Sequence, residues 1–188
     1  MSVSNKKNIA PLITYLTAFT MFGMDQWTKQ MIINAMPITI DFVTKRGSEY
    51  PSYQFLSWLW FTHVVNFGAA FSTFYGRTYL LITFAAVIAA GLIIYERRSY
   101  RNRTKVLSFS MGFLLAGAFG NLFDRVRLGY VTDFLDFRSN GQNVWPIFNI
   151  ADVSINIGIF LLVIYYLFQE EKIRKAEENM EDDEIPVR

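Results

Sequence analysis

The chain has 188 residues, of which 52% are hydrophobic, 17% aromatic and only 18% charged, and its formal net charge is +2. Soluble domains usually carry about 25% charged residues, so the composition argues against an ordinary soluble protein and favours one membrane-embedded domain. There is no cysteine, which excludes thiol catalysis, disulfide bonds and thiolate metal sites.

Four uncharged runs, each 17 or 18 residues long, divide the chain. A helix needs about 20 residues to cross a bilayer, so a polar turn at one end completes each run. Four buried helices of a soluble bundle are the alternative, but such helices need polar outer faces that these runs lack. We therefore predict an all-α membrane protein, residues 1–168, with four transmembrane helices. The expected spans are about residues 9–33, 78–95, 106–123 and 150–168.

Basic residues predict the orientation of these spans. Lys6 and Lys7 precede the first run, the loop Glu96–Lys105 contains five basic residues, and further lysines and an arginine follow the last run. The positive-inside rule assigns all three segments to the cytoplasm, so both termini and the charged tail at residues 169–188 are expected there. The short basic loop is interpreted as a topology signal and not as a nucleic-acid site. The ends that carry Asp25, Asp124, Asp133 and Asp152 are then extracytoplasmic.

The first span ends in a polar helical segment with Asp25 and Lys29 at i, i+4. This spacing puts both side chains on one helix face. One interpretation is an interfacial ion pair that contributes little by itself. The other is that Lys29 holds a carboxylate or a lipid headgroup.

The first outer segment follows, at residues 37–77. Ile38–Phe42 and Trp58–Val65 alternate as strands do, and the polar stretch Thr44–Gln54 between them is interpreted as a turn or loop. Tryptophan and phenylalanine in the second strand suit a membrane interface. A small sheet on the outer surface accounts for these patterns. Asn66, next along the chain, is either a helix cap or part of a close backbone contact.

A polar stretch, Gly117–Asp152, separates the last two spans. Its charged residues are four aspartates and three arginines, with no Glu, Lys, His or Cys. Small and polar residues share one face of each flanking helix, because they recur at helical spacing. On the first helix these are Gly117, Gly120, Asn121 and Asp124, and on the second they are Asn149, Asp152 and Asn156. The two faces meet where a membrane protein would hold a site.

These residues permit three chemistries. The aspartates could hold a hard cation such as Mg²⁺ or Ca²⁺, or form a proton or ion path. They could also include two carboxylates that share one proton and activate a water for amide hydrolysis without a metal. A Ser-His-Asp triad would have to use His63, the only histidine, which has no Asp-rich neighbour in sequence.

Four blocks of residues resemble the lipoprotein signal peptidases (type II signal peptidases) of bacteria. They are DQWTK at Asp25–Lys29, NFGAAF at Asn66–Phe71, GAFGNLFDR at Gly117–Arg125 with GYVTDF at Gly129–Phe134, and FNIAD at Phe148–Asp152. Each block alone is a weak signal, but all four occur in order and at the expected helix ends. The resemblance covers about residues 10–168 and leaves the charged tail unmatched, and Thr44–Gln54 matches only loosely.

The resemblance implies an aspartic endopeptidase that removes the signal peptide from diacylglyceryl-modified prolipoproteins, cutting before the lipidated cysteine. By motif, Asp133 and Asp152 would be the catalytic pair. Asp136 stands three residues after Asp133, and the family motif favours Asp133 because it follows the Gly129–Thr132 run and precedes Phe134. Eight further residues would bind substrate or support the pair: Asp25, Lys29, Asn66, Gly68, Asn121, Asp124, Arg125 and Asn149. The family fold also implies a small extracytoplasmic β-cradle and an interfacial helix on the outer face.

The same resemblance implies a multi-pass protein of the bacterial cytoplasmic (inner) membrane with its active site at the extracytoplasmic face. The expected partners are prolipoprotein substrates and membrane lipids, with no nucleic acid, no metal and no other cofactor, and the chain is expected to be a monomer. The alternative is a membrane transporter or ion channel that uses the carboxylates as a proton or ion relay. That function predicts acids spread through the membrane depth, whereas these collect at one end.

Overall fold

The computed structural model describes residues 9–41, 44, 46–47, 50–68, 74–98 and 104–184. Within these ranges the chain forms four helices, which are α1 (Ala10–Ala35), α2 (Thr78–Arg98), α3 (Lys105–Leu128) and α4 (Ile150–Glu184). The protein is thus mostly helical. The interfacial helix implied by the resemblance is not seen in the described ranges, which omit residues 69–73 of the segment before α2.

Three of the helices are long and apolar enough to cross a membrane: α2, α3 and the first 23 residues of α4, Ile150–Lys172. The helix α1 is not among them, and its second half carries the polar sequence DQWTKQ. Beyond the apolar segment, α4 continues through the charged tail to Glu184. The predicted first span, at about residues 9–33, is therefore not among the three.

The helix α3 packs against each of the other three helices. Two glycines allow this packing. A Cβ atom on Gly117 would collide with the backbone of Ala151 and the side chain of Ile155, and one on Gly120 would lie 2.6 Å from Asp25 Oδ2. Small residues let helix backbones approach closely, so α1 and α4 both reach α3 at the depth of the polar residues.

The strands form two small antiparallel sheets. One pairs β1 (Ile40–Asp41) with β2 (Arg46–Gly47). The other has the order β3-β4-β5-β6, in which β3 is Ser52–Gln54, β4 is Leu59–Asn66, β5 is Val131–Ser139 and β6 is Gln142–Asn143. The predicted strand at Trp58–Val65 is confirmed as β4. The predicted loop at Thr44–Gln54 is wrong in part, because β2 and β3 lie within it. The strands β5 and β6 were not predicted from the sequence.

A bulge in β4 changes the face to which its side chains point. The register with β5 shifts between Phe61 and Val64, so that Trp60 opposes Asp136 whereas Val64 opposes Asp133. Asp133 and Asp136 are three residues apart and therefore point to opposite faces of β5. The bulge consequently brings one set of β4 side chains to Asp136 and another set to Asp133.

The turn between α3 and β5 places Asp133 next to the end of α3. Gly129 ends the helix in the left-handed conformation, with φ of 84°, and its N–H donates to Arg125 O. Glycine adopts this conformation without the steric cost that other residues have. The chain reverses here, and Val131 begins β5 two residues later.

Candidate active site

Asn149 and Asp152 form a reciprocal cap at the N-terminus of α4. The Asn149 side-chain Oδ1 accepts a hydrogen bond from Asp152 N at 3.0 Å, and Asp152 Oδ2 accepts one from Asn149 N at 3.2 Å. This is the geometry of a capping box, in which the first residues of a helix satisfy each other's free N–H groups. The helix N-terminus also favours a negative charge, so the cap both fixes the Asp152 carboxylate and stabilises it electrostatically.

Asp133 lies on β5 and is held by two amides. Asn149 Nδ2 donates to Oδ1 at 2.6 Å, and Asn66 Nδ2 donates to Oδ2 at 2.8 Å. Asn66 is the diagonal neighbour of Asp133 across the β4–β5 pair, a position that side chains reach easily. The Asp133 side chain is only 2% exposed.

Burial governs the protonation of Asp133. Desolvation raises the pKa of Asp133 to about 7, and the negative charge of Asp152 acts in the same direction. The hydrogen bonds from Asn66 and Asn149 and the charge of Lys29 oppose this rise without cancelling it. Because the two aspartates influence each other, a proton taken up near neutral pH belongs to the pair. Two acids that cannot both ionise easily are suited to acid–base chemistry.

Asn121 connects Asp152 to the interior of the helix bundle. Its Nδ2 donates to Asp152 Oδ1 at 2.8 Å, while its Oδ1 accepts from Asn149 Nδ2 at 3.1 Å and from Lys29 Nζ at 3.2 Å. Both oxygens of Asp152 therefore accept a hydrogen bond, one from Asn121 and one from the cap. The contact with Lys29 determines which end of the Asn121 amide faces Asp152, since a lysine can only donate.

Lys29 is buried between two carboxylates. Its Nζ lies 2.9 Å from Asp25 Oδ2 and 3.0 Å from Asp124 Oδ2, and the side chain is 2% exposed. Asp25 Oδ1 also accepts from Ala151 N at 2.8 Å, and Asp124 Oδ2 accepts from Thr132 N at 3.2 Å. The cluster thereby ties α1 and α3 to the first turn of α4 and to β5. In this structure Lys29 holds two carboxylates, those of Asp25 and Asp124.

Arg125 lies beside the aspartate pair. Its Nη2 donates to Gly68 O at 2.8 Å and its Nη1 to Asn121 O at 3.3 Å. Gly68 N in turn donates to Asn66 Oδ1 at 2.9 Å. Asp133 and Asp152 both interact electrostatically with the guanidinium. Arg125 therefore links the end of β4 to α3 and places a positive charge near the pair.

All ten residues singled out in the sequence lie in one connected network of hydrogen bonds and ion pairs. The residues are Asp25, Lys29, Asn66, Gly68, Asn121, Asp124, Arg125, Asp133, Asn149 and Asp152. Gln26 also joins this network, although it was not predicted from the sequence: its Nε2 donates to Asp25 Oδ2 and Asp124 Oδ1, both at 3.0 Å. Its position directly after Asp25, inside the DQWTK block, was the available signal.

A cavity of about 870 Å³ opens onto the aspartate pair. Asp133, Asp152, Asn66, Asn121 and Arg125 line it. Its apolar walls come from β4, from the segment before α4 and from α4 itself, and their residues include Val64, Phe67, Ile147, Phe148, Val153 and Ile157. A cavity of this volume accommodates an extended peptide segment with bulky apolar side chains.

Two other candidates lie away from this cavity. Asp136 is fully buried on the opposite face of β5, where Oδ2 contacts Thr62 Oγ1 at 2.6 Å and Arg138 Nε at 2.7 Å. His63 Nδ1 lies 2.6 Å from Met36 O at the end of α1, and burial lowers the pKa of this histidine. Neither residue is in a position to share a proton with Asp152. Within the ranges that the structure describes, no group of three or more acidic or histidine side chains is arranged to hold a metal ion.

Comparison with known proteins gives the family of the chain. A model of the signal peptidase (SPase) II family matches residues 17–168. A lipoprotein signal peptidase of Halothermothrix orenii is 36% identical over 162 residues, which are 86% of this chain and 99% of the relative. One from Alteromonas mediterranea is 38% identical over 161 residues, covering 84% of this chain and 81% of the relative.

The fold has solved counterparts as well. A bacterial membrane enzyme determined by the in meso method at 2.3 Å resolution superposes with a TM-score of 0.70 and 30% identity, covering 85% of this chain and 90% of that one. A second such enzyme, at 1.9 Å resolution, gives a TM-score of 0.65, again with 30% identity, over 82% of this chain and 92% of that one. With the family model matching residues 17–168, this chain belongs to the signal peptidase II family of membrane-embedded peptidases.

Proposed function

We propose that this protein is an aspartic endopeptidase that removes the signal peptide from diacylglyceryl-modified prolipoproteins and cuts before the lipidated cysteine. The observation that carries the proposal is that Asn149 contacts both Asp133 and Asp152 at the wall of a cavity beside membrane-spanning helices. The relatives described as lipoprotein signal peptidases support the substrate class.

The two aspartates have different surroundings, which supports a division of roles. Asp133 is more deeply buried and its pKa is raised to about 7, so it carries the shared proton. Asp152 is less buried and lies at the N-terminus of α4, where the helix dipole favours a carboxylate. Asp152 is then the general base and Asp133 the general acid.

Hydrolysis proceeds in two proton-balanced steps. A water attacks the scissile carbonyl carbon, Asp152 takes a proton from that water, and Asp133 gives its proton to the carbonyl oxygen. In the second step the carbon–nitrogen bond breaks, the proton on Asp152 goes to the leaving nitrogen, and Asp133 recovers a proton from a hydroxyl of the intermediate. The products are a signal peptide with a new carboxyl terminus and a lipoprotein with a free amine on its cysteine, and the pair ends as it began.

The surrounding residues hold this pair in place. Asn66, Asn121 and Asn149 donate to the carboxylates, and Gly68 and Arg125 join β4 to α3 beside them. The buried Lys29, with Asp25 and Asp124, fixes the depth at which α1, α3 and α4 meet. A dyad held by amides on several elements is preorganised, so little rearrangement is needed when substrate arrives.

For the membrane arrangement we propose four spans, with α1 as the first, both termini in the cytoplasm and the sheet at the outer face of the cytoplasmic membrane. The basic residues around Glu96–Lys105 support this orientation through the positive-inside rule. A monomer suffices, because all ten site residues come from one chain. Burial of the substrate's acyl chains would contribute about 0.8 kcal/mol per CH₂ group to binding.

The experiment is to incubate the purified protein in detergent or bilayers with a diacylglyceryl-modified prolipoprotein and to measure release of the signal peptide. The unmodified prolipoprotein is the matched substrate control. We expect cleavage of the lipidated form, unchanged by EDTA and not increased by Mg²⁺. Failure to cleave any lipidated substrate would refute the proposed function, whereas loss on chelation and recovery with a divalent ion would refute the metal-free mechanism.

A further inference from the structure

Asn156 is a polar residue on the cavity wall that the proposed chemistry does not use. It lies in the apolar part of α4, four residues after Asp152, and its exposed side chain lines the same cavity. Four residues of helix rise about 6 Å along the axis, so Asn156 lies about 6 Å beyond Asp152 along the span. Polar residues inside a membrane span are costly, and those that face a cavity often contact a substrate.

The hydrogen bonding of Asn156 leaves an acceptor available. Its Nδ2 donates to Asp152 O at 2.9 Å, one turn back along α4. Within the described residues, its Oδ1 accepts no hydrogen bond. The amide is therefore oriented by its own helix, with the nitrogen engaged and the oxygen open to the cavity.

If the protein has the proposed function, its substrate needs such an acceptor. A peptide bond within a helix is shielded, so the signal peptide has to unwind around the bond to be cut. Each N–H group released by unwinding lacks water at this depth and costs free energy unless the enzyme accepts its hydrogen bond. An extended peptide rises about 3.3 Å per residue, so a point 6 Å from the pair meets a residue about two positions away from the cut. Asn156 lies in the apolar part of α4, and the apolar part of the substrate is the signal peptide. The residue that meets Asn156 therefore lies before the cut.

We infer that Asn156 Oδ1 accepts a backbone N–H of the signal peptide, about two residues before the scissile bond, and thereby stabilises the unwound substrate. Asn156 is thus a substrate-positioning residue. The contact exists both when the substrate is bound and in the transition state. Its loss should therefore raise KM and leave kcat largely unchanged, because an interaction that is equally strong in both states affects KM alone.

The test combines enzyme variants with altered substrates. Asn156→Leu removes the acceptor at similar size, and Asn156→Thr keeps an oxygen that can accept while its hydroxyl bonds to Asp152 O. The matched control is Thr83→Val in α2, because Thr83 Oγ1 makes the same bond to a carbonyl one turn back, Tyr79 O at 3.0 Å, outside the cavity. The substrates are synthetic lipidated peptides in which an ester replaces the amide at one of the three positions before the cut.

We expect Asn156→Leu to raise KM by about three- to tenfold, as for one lost hydrogen bond, with Asn156→Thr and Thr83→Val near wild type. An ester about two positions before the cut should raise KM for the wild type by a similar factor and have no further effect in Asn156→Leu. An unchanged KM in Asn156→Leu, a fall in kcat alone, or additive effects of ester and variant would overturn the inference.

If Asn156→Leu does not fold, the wild type still decides the question, because an ester that has no effect at any of the three positions also overturns the inference. Failure of the wild type to cleave the unaltered peptide would instead count against the proposed function. The two failures are therefore distinguishable.

Discussion

Asn149 Nδ2 lies 2.6 Å from Asp133 Oδ1, which makes the cap of α4 a direct partner of an aspartate on the sheet. The same residue donates its backbone N–H to Asp152, so one asparagine joins the two carboxylates. The cap of α4 and the positions of the two carboxylates are thereby coupled. Any movement of the α4 N-terminus relative to β5 would change both aspartates together.

The first prediction is that Asp133→Asn and Asp152→Asn each reduce cleavage by several orders of magnitude. Asparagine keeps the size and hydrogen-bonding capacity of aspartate but cannot ionise, so the change tests charge and not packing. An acid or base contributes roughly 10²–10⁴-fold alone, and members of one catalytic unit are not additive. The double variant should therefore be little worse than either single variant.

The measurement is the initial rate of signal-peptide release at equal amounts of membrane-inserted protein. Wild-type cleavage by Asp133→Asn would mean that another residue is the partner of Asp152. Wild-type cleavage by both single variants would end the aspartic mechanism.

Asp136→Asn is the second prediction and the matched comparison for Asp133→Asn on the same strand. Asp136 points away from the cavity and contacts Arg138, Thr62 and Asn143. We expect most of the activity to remain. The loss of charged hydrogen bonds should lower the free energy of unfolding by about 1.5–3 kcal/mol, measured by thermal unfolding in detergent. A catalytic defect as large as that of Asp133→Asn, at unchanged stability, would contradict the assignment of the two aspartates.

Sequence reasoning found the apolar helices and the ten residues of the network for different reasons. An uncharged run of 17 residues is a local signal, because every backbone group in a span bonds within its own helix. Asn121, Asp124, Asn149 and Asp152 stood out because Asn and Asp at helical spacing are unusual beside apolar runs. The resemblance to family motifs added Asn66, Gly68, Arg125 and Asp133. Asp25 and Lys29 could be paired from their spacing, but their burial depends on Asp124 in another helix.

The sheet was harder to predict because its pairing is non-local. The strand β5 lies opposite β4, with Asn66 paired to Val131 in a register that includes a bulge. No local pattern in β5 identifies that partner or that shift, which is why Asp133 and Asp136 could be separated by motif but not by geometry. The short strands β2 and β3 were missed because polar residues and a proline are typical of loops.

The third prediction concerns orientation. The chain contains no cysteine, so a single introduced cysteine reports its own accessibility. Gly47→Cys, on β2, should react with a membrane-impermeant thiol reagent in intact cells. Asn102→Cys, in the basic loop, should react only after the membrane is permeabilised. Labelling of the loop position alone in intact cells would reverse the proposed topology.

The fourth prediction compares two lysine–carboxylate pairs with the same i, i+4 spacing. Lys29 and Asp25 are 2.9 Å apart with side chains 2% and 1% exposed, whereas Lys175 and Glu171 are 2.7 Å apart with side chains 62% and 46% exposed. Lys29→Met leaves Asp25 and Asp124 buried without a cation. We expect it to lower the free energy of unfolding by about 3–5 kcal/mol.

Lys175→Met is the matched control, and it should not change stability measurably because solvent screens the exposed pair. Thermal unfolding of both variants in the same detergent provides the measurement. Equal stability of Lys29→Met and Lys175→Met would show that the buried cluster does not hold the helices together.

The last prediction concerns pH and follows from Asp133, whose pKa burial raises from the ordinary 3.8 to about 7. The native state therefore retains a proton that the unfolded chain releases at about pH 4. The stability that this proton provides is fully present below pH 4 and is lost as the pH rises towards 7, so the free energy of unfolding should fall across that interval.

Cleavage should decrease about tenfold per pH unit above the apparent pKa of the pair, because the acid is then ionised. Asp133→Asn should remove the stability change between pH 4 and 7, and Asp136→Asn should keep the wild-type activity profile. Thermal unfolding and initial rates from pH 4 to 9 provide the measurements. Cleavage that rises steadily from pH 7 to 9 would be incompatible with a shared proton on Asp133 and Asp152.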